Sequence, residues 1–219
     1  MRIKRMERST LLEKYIQYQL EHGKKPESVY LFMKKLKKTD ADFFAHFSNF
    51  EALDSYFWVH VFESTRHKLE GDAQYEGFSA AERLSAFYFL WTQELMQHRS
   101  YMLYVAEKNH KGINPMDSAL GDFRRAFLGY ASSIVSSGIG AGQIADRKFI
   151  SDQFKHGLWV QTLFLLNFWL KDTSKDFEDT DAAIEKTVNI GFKLMGENLF
   201  DEVLDFGKFM FQRAKKSFS

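Results

Sequence analysis

Only two prolines, Pro26 and Pro115, interrupt this chain of 219 residues. Proline breaks the interior of an α-helix, because it lacks the amide hydrogen and its ring clashes with the preceding turn. Apolar residues also recur at helical spacing, as at Leu12, Tyr15 and Ile16, and this periodicity is the main sign of an amphipathic helix. The sequence therefore predicts an all-α fold.

Positive charge is concentrated near the N-terminal end. Residues 1–38 hold eleven Lys or Arg and four Asp or Glu, a net charge of +7, whereas residues 39–54 hold four acids and no base. Residues 55–219 carry a net charge of −2. A basic segment on a nearly neutral body is typical of polyanion binding, and a solvated lysine-rich helix face gives the same pattern.

Three short helices are predicted before a long fourth helix that begins at Phe50. They cover about residues 9–22, 27–36 and 39–47, and Gly23 is a typical stop for the first. Thr39 is predicted to cap the third helix with Asp42 as its partner, and Phe44 and Phe47 are expected to hold that helix against the first two. A larger helical body follows, so the predicted domains are 1–53 and 54–219, with the boundary inside the fourth helix.

Longer helices are predicted in this body. Expected starts are Ser79 or Ala80, Ser100 and Pro115, and the stretch SSGIGAGQIADRKF is expected to end the helix that Pro115 begins. The last helices are predicted at about 152–172, 179–196 and 197–216.

The segment HGKKPESVYLFMKKLKKTDADFFAHFSNFEAL resembles the DNA-binding domain of TetR-type transcriptional repressors. The resemblance is carried by Gly23, by Ser28-Val29, by the pair Phe44 and Phe47, and by Glu51-Ala52-Leu53. Further along, GQIADRKFI is similar to the link that follows the seventh helix of these repressors, and the final apolar helices resemble their dimerisation helices.

This resemblance implies a ligand-responsive homodimer with a three-helix helix-turn-helix head on a larger ligand-binding and dimerisation domain. A cytoplasmic location is expected because the chain has no cysteine, which suits a reducing compartment. The third helix of each subunit would lie in the major groove of operator DNA, and a small molecule would change the separation of the heads. The residues expected at the DNA are Lys24, Lys25, Lys34, Lys35, Lys37, Lys38, Thr39, Asp40, Asp42 and His46.

Four features depart from the family pattern. Lys37 stands where the family has glycine, Phe44 where it has tyrosine, and Phe50 where it has a phosphate-contacting lysine, while acidic residues occupy the first turn of the third helix. Two interpretations stay open. In one, the lysines and the N-terminal arginines still bind DNA; in the other, the fold has lost DNA binding, and the protein binds a lipid or another apolar ligand.

Aromatic residues of the predicted body could line an apolar cavity between helices, which is the usual small-molecule site in such domains. For any single one of them, an ordinary role in the core is the alternative. No cofactor is expected beyond an apolar effector. The candidate ligand-binding residues are Trp91, Phe123, Phe127, Tyr130, Trp159 and Phe164.

The helices at about 152–172 and 179–196 are the candidate dimer surface. They carry more apolar residues than one face needs, which suggests burial on two sides; burial within one chain is the alternative. The residues that keep helical spacing there are Trp159, Leu163, Leu166, Leu170, Ile184, Val188, Phe192 and Met195.

Catalytic and metal chemistry are not expected. The chain has no cysteine and no visible Ser-His-Asp arrangement, so it is not predicted to be an enzyme. His60, Glu63 and His67 share a helix face, but His60 and His67 are about 10 Å apart, which makes a metal site improbable. The most apolar run, 158–170, is too short to span a bilayer, so stable membrane insertion is not expected.

Overall fold

The computed structural model describes residues 6–108, 112–147 and 150–196, and the secondary structure in these ranges is helical, without strands. Short 3₁₀ turns connect several of the α-helices. The α-helices are α1 (Arg8–His22), α2 (Val29–Lys35), α3 (Asp40–Phe44), α4 (Phe50–Glu70), α5 (Ala80–Met96), α6 (Arg99–Lys108), α7 (Gly121–Gly140), α8 (Phe154–Lys171) and α9 (Glu178–Met195). The predicted all-α fold is confirmed, whereas the predicted helix at 197–216 lies outside the described residues.

The first three helices and the start of α4 pack around a cluster of aromatic rings, and we call this part the head. Tyr15 stacks on Phe50 with ring centroids 5.2 Å apart, and Phe32 and Phe43 meet Phe50 edge-on at 5.8 and 5.4 Å. The prediction that Phe44 holds α3 against its neighbours is wrong, because Phe44 is 55 % exposed and Phe43 is fully buried. α3 turns Phe43, one residue earlier, toward the core.

Backbone conformation explains how the head's turns form. Gly23 takes φ +64° after α1 and donates its N–H to the Gln19 carbonyl over 2.8 Å, as expected for a glycine stop. Lys37, in the turn between α2 and α3, takes φ +56°. This left-handed region favours glycine, which is the residue the family pattern has there, so Lys37 keeps the glycine conformation without the glycine.

A single helix of 21 residues, α4, joins the head to the rest of the chain, which we call the body. Its start packs in the head through Phe50, and further along Phe62 contacts Phe87 of α5 and Phe123 of α7 at 5.6 Å each. Because both cores share one continuous helix, a rotation of α4 relative to the body would carry the head with it.

The segment around α7 differs from expectation. Pro115 does not begin the helix; a 3₁₀ turn at Ser118–Leu120 comes first, and α7 starts at Gly121. The Asp117 carboxylate accepts the Ala119 N–H over 2.9 Å and so caps that turn.

The glycine-rich stretch is also more helical than predicted, since α7 continues to Gly140. Gly138 lies inside the helix, where an added Cβ would come within 2.6 Å of the Ile144 Cδ1 atom. Glycine at this position lets the chain that leaves α7 fold back closely over it.

The last two helices pack on the body through the residues that had been expected to form the dimer surface. That expectation is wrong at the level of residues, because seven of the eight are buried within the chain and Phe192 is half-buried against the core. Helical spacing shows which residues share a face, but it does not show which molecule covers that face. In the ranges that the structure describes, no helix is long and apolar enough to cross a membrane.

Candidate functional site

The acidic residues at the start of α3 cap the helix. The Asp42 carboxylate accepts hydrogen bonds from the backbone N–H and the hydroxyl of Thr39, over 3.1 and 2.9 Å. Asp40 is exposed, and its carboxylate accepts the Ala41 N–H over 3.0 Å. Carboxylates in a first turn are stabilised by the helix dipole, so both acids have a structural role whether or not DNA is bound.

Two lysines of the predicted DNA-binding set are paired with acids. Lys24 contacts Glu27 over 3.0 Å, and Lys25 contacts Asp54 of α4 over 2.5 Å. These two lysines therefore have partners within the chain, and Lys25 ties the loop after α1 to α4.

The other four lysines, at the turn between α2 and α3, form what we call the lysine patch: Lys34, Lys35, Lys37 and Lys38. Lys35 lies 2.9 Å from His22 Nε2 and 4.8 Å from the centre of the Tyr18 ring. Lys38 is half-buried and the other three are exposed. Among the described residues none of the four forms an ion pair with a carboxylate, so their charge is available to an external anion.

His46 faces the start of the described chain. Its Nε2 lies 2.8 Å from the Met6 carbonyl, and the residue is half-buried. Phe44, two residues earlier, is the last residue of α3 and is exposed. The head therefore presents a phenylalanine ring, without a hydroxyl group, where the family pattern has tyrosine. His46 contacts the chain before α1.

Five of the six predicted ligand-binding residues lie together in the body. Phe123 is fully buried and contacts Trp91 at 5.6 Å and Trp159 at 5.2 Å, and Phe127 contacts Trp159 at 5.8 Å and Tyr130 at 6.3 Å. These rings pack directly on one another. An apolar ligand among them would have to displace a ring.

Phe164, the sixth residue, lies apart on the surface between α8 and α9. It is 50 % exposed and lines an apolar groove of about 700 Å³ together with Val160, Ile190 and Leu194. Two other lining residues join α8 to α9, because the Gln161 amide donates a hydrogen bond of 3.0 Å to the Thr187 hydroxyl. We call this surface the α8–α9 groove.

A polar cluster between head and body was missed at the level of the sequence. The Asp54 carboxylate of α4 accepts from the Tyr15 hydroxyl of α1 over 3.0 Å and from the Tyr101 hydroxyl of α6 at 3.5 Å, in addition to Lys25. Burial raises the pKa of Asp54, and Lys25 and Tyr15 oppose that rise. These residues come from three helices and the loop after α1, so no spacing along the chain reveals them.

The histidines noted on α4 have no third potential metal ligand grouped with them among the described residues. Within 6–108, 112–147 and 150–196, no three potential metal ligands are grouped together. His60 instead neighbours His98, in the turn between α5 and α6, with Glu13 and Glu94 close by and Lys68 paired to Glu94 over 2.6 Å. Burial lowers the pKa of both histidines; the charge of His60 lowers that of His98 further, and the two glutamates oppose the shift.

Because the pKa values of His60 and His98 are lowered, we expect the protein to lose stability as the pH falls. Because the folded chain binds these two protons less readily than the unfolded chain does, lowering the pH through the ordinary histidine range favours unfolding. The double substitution His60→Gln with His98→Gln is expected to reduce the drop in Tm between about pH 7.5 and about pH 5.5. Thermal melts of both chains at both pH values measure the drop in Tm. A drop in the double variant as large as that in the parent chain would contradict the assignment.

Comparisons with known proteins agree with this architecture. Residues 83–210 match the family model described as tetracyclin repressor-like, C-terminal domain. A protein of unknown function from Rhodococcus sp. RHA1 has a similar structure, with 14 % identity and a TM-score of 0.56 over 90 % of this chain and 100 % of that chain. A candidate TetR family transcription regulator from Shewanella sp. PV-4 aligns at 13 % identity and a TM-score of 0.60, covering 89 % and 100 %.

No curated protein matches the chain. The two solved structures are too distant in sequence to show more than the fold. The family model, however, spans more than half of the chain, and the fold agrees with it, so the chain belongs to the TetR family of tetracycline repressor-like proteins.

Proposed function

We propose that this protein is a dimeric transcriptional regulator whose head, residues 1–53, binds operator DNA and whose body, 54–219, dimerises and responds to a small molecule. The observation that carries the proposal is the lysine patch. It lies at the turn into α3, in the part of the chain with a net charge of +7, and phosphate neutralisation by such residues supplies most of the affinity for DNA. Salt-dependent binding to the DNA upstream of its own gene tests the proposal.

In this proposal the phosphate contacts come from the lysine patch, with Lys24 and Lys25 as weaker contributors. These two already have carboxylate partners, so DNA would have to compete with Glu27 and Asp54 for them. Asp40, which is exposed, could accept a hydrogen bond from a cytosine amino group, whereas Asp42 is engaged by Thr39. Thr39 and His46 lie at the two ends of α3, and we assign both to the positioning of that helix.

A second candidate function is binding of an apolar ligand by a protein that no longer binds DNA. Phe44 and Phe50 favour it, because the family places a tyrosine and a phosphate-contacting lysine at these positions. Phe50 instead packs with Tyr15 inside the head, so the ring contributes to the core of the head. Mass spectrometry of apolar molecules that co-purify with the native chain would support this candidate, and specific operator binding would exclude it.

Dimerisation is proposed through the α8–α9 groove. The four apolar residues there are each between 37 and 66 % exposed, and a contiguous apolar surface of this kind is typical of a protein–protein interface. The same helices form the dimer in the family that the sequence resembles. The groove therefore replaces the buried residues as the proposed contact between subunits.

Charge introduced into the groove is expected to separate the subunits. The double substitution Val160→Glu with Phe164→Glu places two carboxylates in an apolar interface, where unpaired charges are strongly unfavourable. The dimer dissociation constant is expected to rise by at least about 100-fold. Light scattering after size exclusion would then give a mass near the 25.7 kDa of one chain.

The matched control is Leu103→Glu on α6, which replaces an apolar residue that is 44 % exposed outside the groove. It should leave the dimer intact. A parent chain that is already monomeric at micromolar concentration, or a double variant that stays dimeric, would contradict the proposed interface.

A further inference from the structure

A cavity of about 380 Å³ lies at the junction of head and body, and we call it the junction cavity. Its head side is formed by Gln19 at the end of α1 and by Lys25 in the following loop. Its body side is formed by Tyr101, Tyr104 and Lys108 of α6. The volume falls within the range of small-molecule sites, and the cavity adjoins the packed aromatic cluster of the body through Trp58, which contacts Phe123.

One buried group in its wall has an unused hydrogen-bonding capacity. Gln19 is 2 % exposed, and its Nε2 has no hydrogen-bond partner among the described residues. Burial raises the pKa of Tyr101, and the Gln19 amide opposes the rise because it is directed at the Tyr101 hydroxyl. That approach falls short of hydrogen-bond geometry, so Nε2 stays without an acceptor on the Tyr101 side of the cavity. A buried amide N–H without an acceptor costs about 1–3 kcal/mol. A ligand atom that accepts a hydrogen bond from Gln19 would remove this cost and so bind more tightly.

Most carboxylates around the cavity are already engaged. Asp54 receives Lys25, Tyr15 and Tyr101, and Asp117 accepts the Ala119 N–H. Glu51 is exposed in the first turn of α4, where solvent screens its charge. The polar groups that remain available inside the cavity are therefore mainly hydrogen-bond donors.

Lys108 adds a positive charge to these donors. Its ammonium lies 5.5 Å from the centre of the Tyr104 ring, and it forms no ion pair with a carboxylate in the part of the chain that is described. Trp58, which is 5 % exposed, and Val105 supply an apolar wall. Donors and a cation on one side, with apolar surface on another, fit a ligand that is anionic at one end and apolar at the other.

We propose that the junction cavity binds a small organic carboxylate. Its carboxylate accepts hydrogen bonds from the Gln19 amide and the Lys108 ammonium, and its apolar part packs against Trp58 and Val105. Because α1 and α6 supply the two donors, the bound molecule joins the head to the body and favours one orientation between them. Only this last consequence, for DNA binding, rests on the proposed function.

The test uses the full chain and three probes of one size: phenylacetate, phenylacetamide and phenethylamine. The readout is the side-chain amide signal of Gln19 in a ¹H–¹⁵N spectrum, identified by its loss in Gln19→Met. Phenylacetate is expected to shift this signal saturably below about 10 mM. The neutral and cationic probes should bind at least about tenfold more weakly, because they lack the charge-assisted hydrogen bonds.

Two variants test the donors. Lys108→Met, at an exposed position, and Gln19→Met are each expected to weaken phenylacetate binding about tenfold. Tryptophan fluorescence provides the readout that both variants share, because Trp58 lines the cavity. The matched control Lys186→Met, on exposed α9 surface, should bind as the parent does.

Three results would overturn the proposal: no shift of the Gln19 signal at about 10 mM phenylacetate, equal binding of the three probes, or unchanged binding by Lys108→Met. All are measured without DNA. If phenylacetate binds and operator DNA does not, the proposed function fails and the carboxylate site stands. If operator DNA binds and the probe does not, the carboxylate site fails alone.

Discussion

Replacing all four residues of the lysine patch by alanine is expected to weaken binding to operator DNA by about 100-fold or more near 0.1 M salt. Each lysine–phosphate contact contributes about 0.9 to the slope of log K against log salt, so the slope should fall by about 0.9 for every patch lysine that contacts a phosphate, up to about 3.6 for all four. Three of these lysines are exposed and none carries an ion pair to a described carboxylate, so their loss should not unfold the head. Fluorescence anisotropy over a salt series measures the effect.

The control is a variant with the same change of charge elsewhere. Alanine at four lysines of the body should leave both affinity and salt slope nearly unchanged: Lys68, Lys171, Lys175 and Lys186. If the two quadruple variants lose affinity equally, the lysine patch is not the phosphate-binding surface. A stable fold in both variants, checked by thermal melting, keeps the comparison valid.

Replacing Phe123 by alanine is expected to reduce the free energy of unfolding by about 3–5 kcal/mol. Its ring is fully buried and touches rings from α4, α5 and α8, including Trp58, Trp91 and Trp159. The truncation removes these contacts and leaves a cavity at the centre of the body. For a chain of this length the Tm should fall by roughly 10 °C; urea unfolding measures the free energy directly.

Phe44→Ala is the matched control, because it makes the same truncation at a ring that is 55 % exposed. It should cost less than about 1 kcal/mol. Equal losses in the two variants would mean that the aromatic cluster of the body is not close-packed. A Phe123→Ala chain as stable as the parent would also mean that the cluster is not close-packed. It would then support the hypothesis of a ligand cavity among those rings.

Local signals in the sequence predicted the helices well. Gly23 ends α1 as expected, and Ser79 with Glu82 forms a capping box at the start of α5. α4 is a long helix that begins at Phe50, as predicted, and ends at Glu70. These features depend on residues within a few positions of one another, and such interactions can be predicted from the sequence.

Features that depend on the third dimension were harder to predict. Seven of the eight expected dimer residues on α8 and α9 are buried in the chain itself, and the exposed groove lies on another face of the same helices. The junction cavity draws Gln19, Asp54 and Tyr101 from α1, α4 and α6. Residues so far apart in sequence become neighbours only through packing, which periodicity does not specify.

The most direct test of the proposed function is equilibrium binding of the full chain to a duplex from upstream of its own gene. A shuffled duplex of equal length and composition is the comparison, and both are titrated across a salt series. We expect the upstream duplex to bind roughly a thousandfold more tightly, with log K falling linearly as log salt rises. Equal, weak binding of both duplexes near physiological salt would contradict the account.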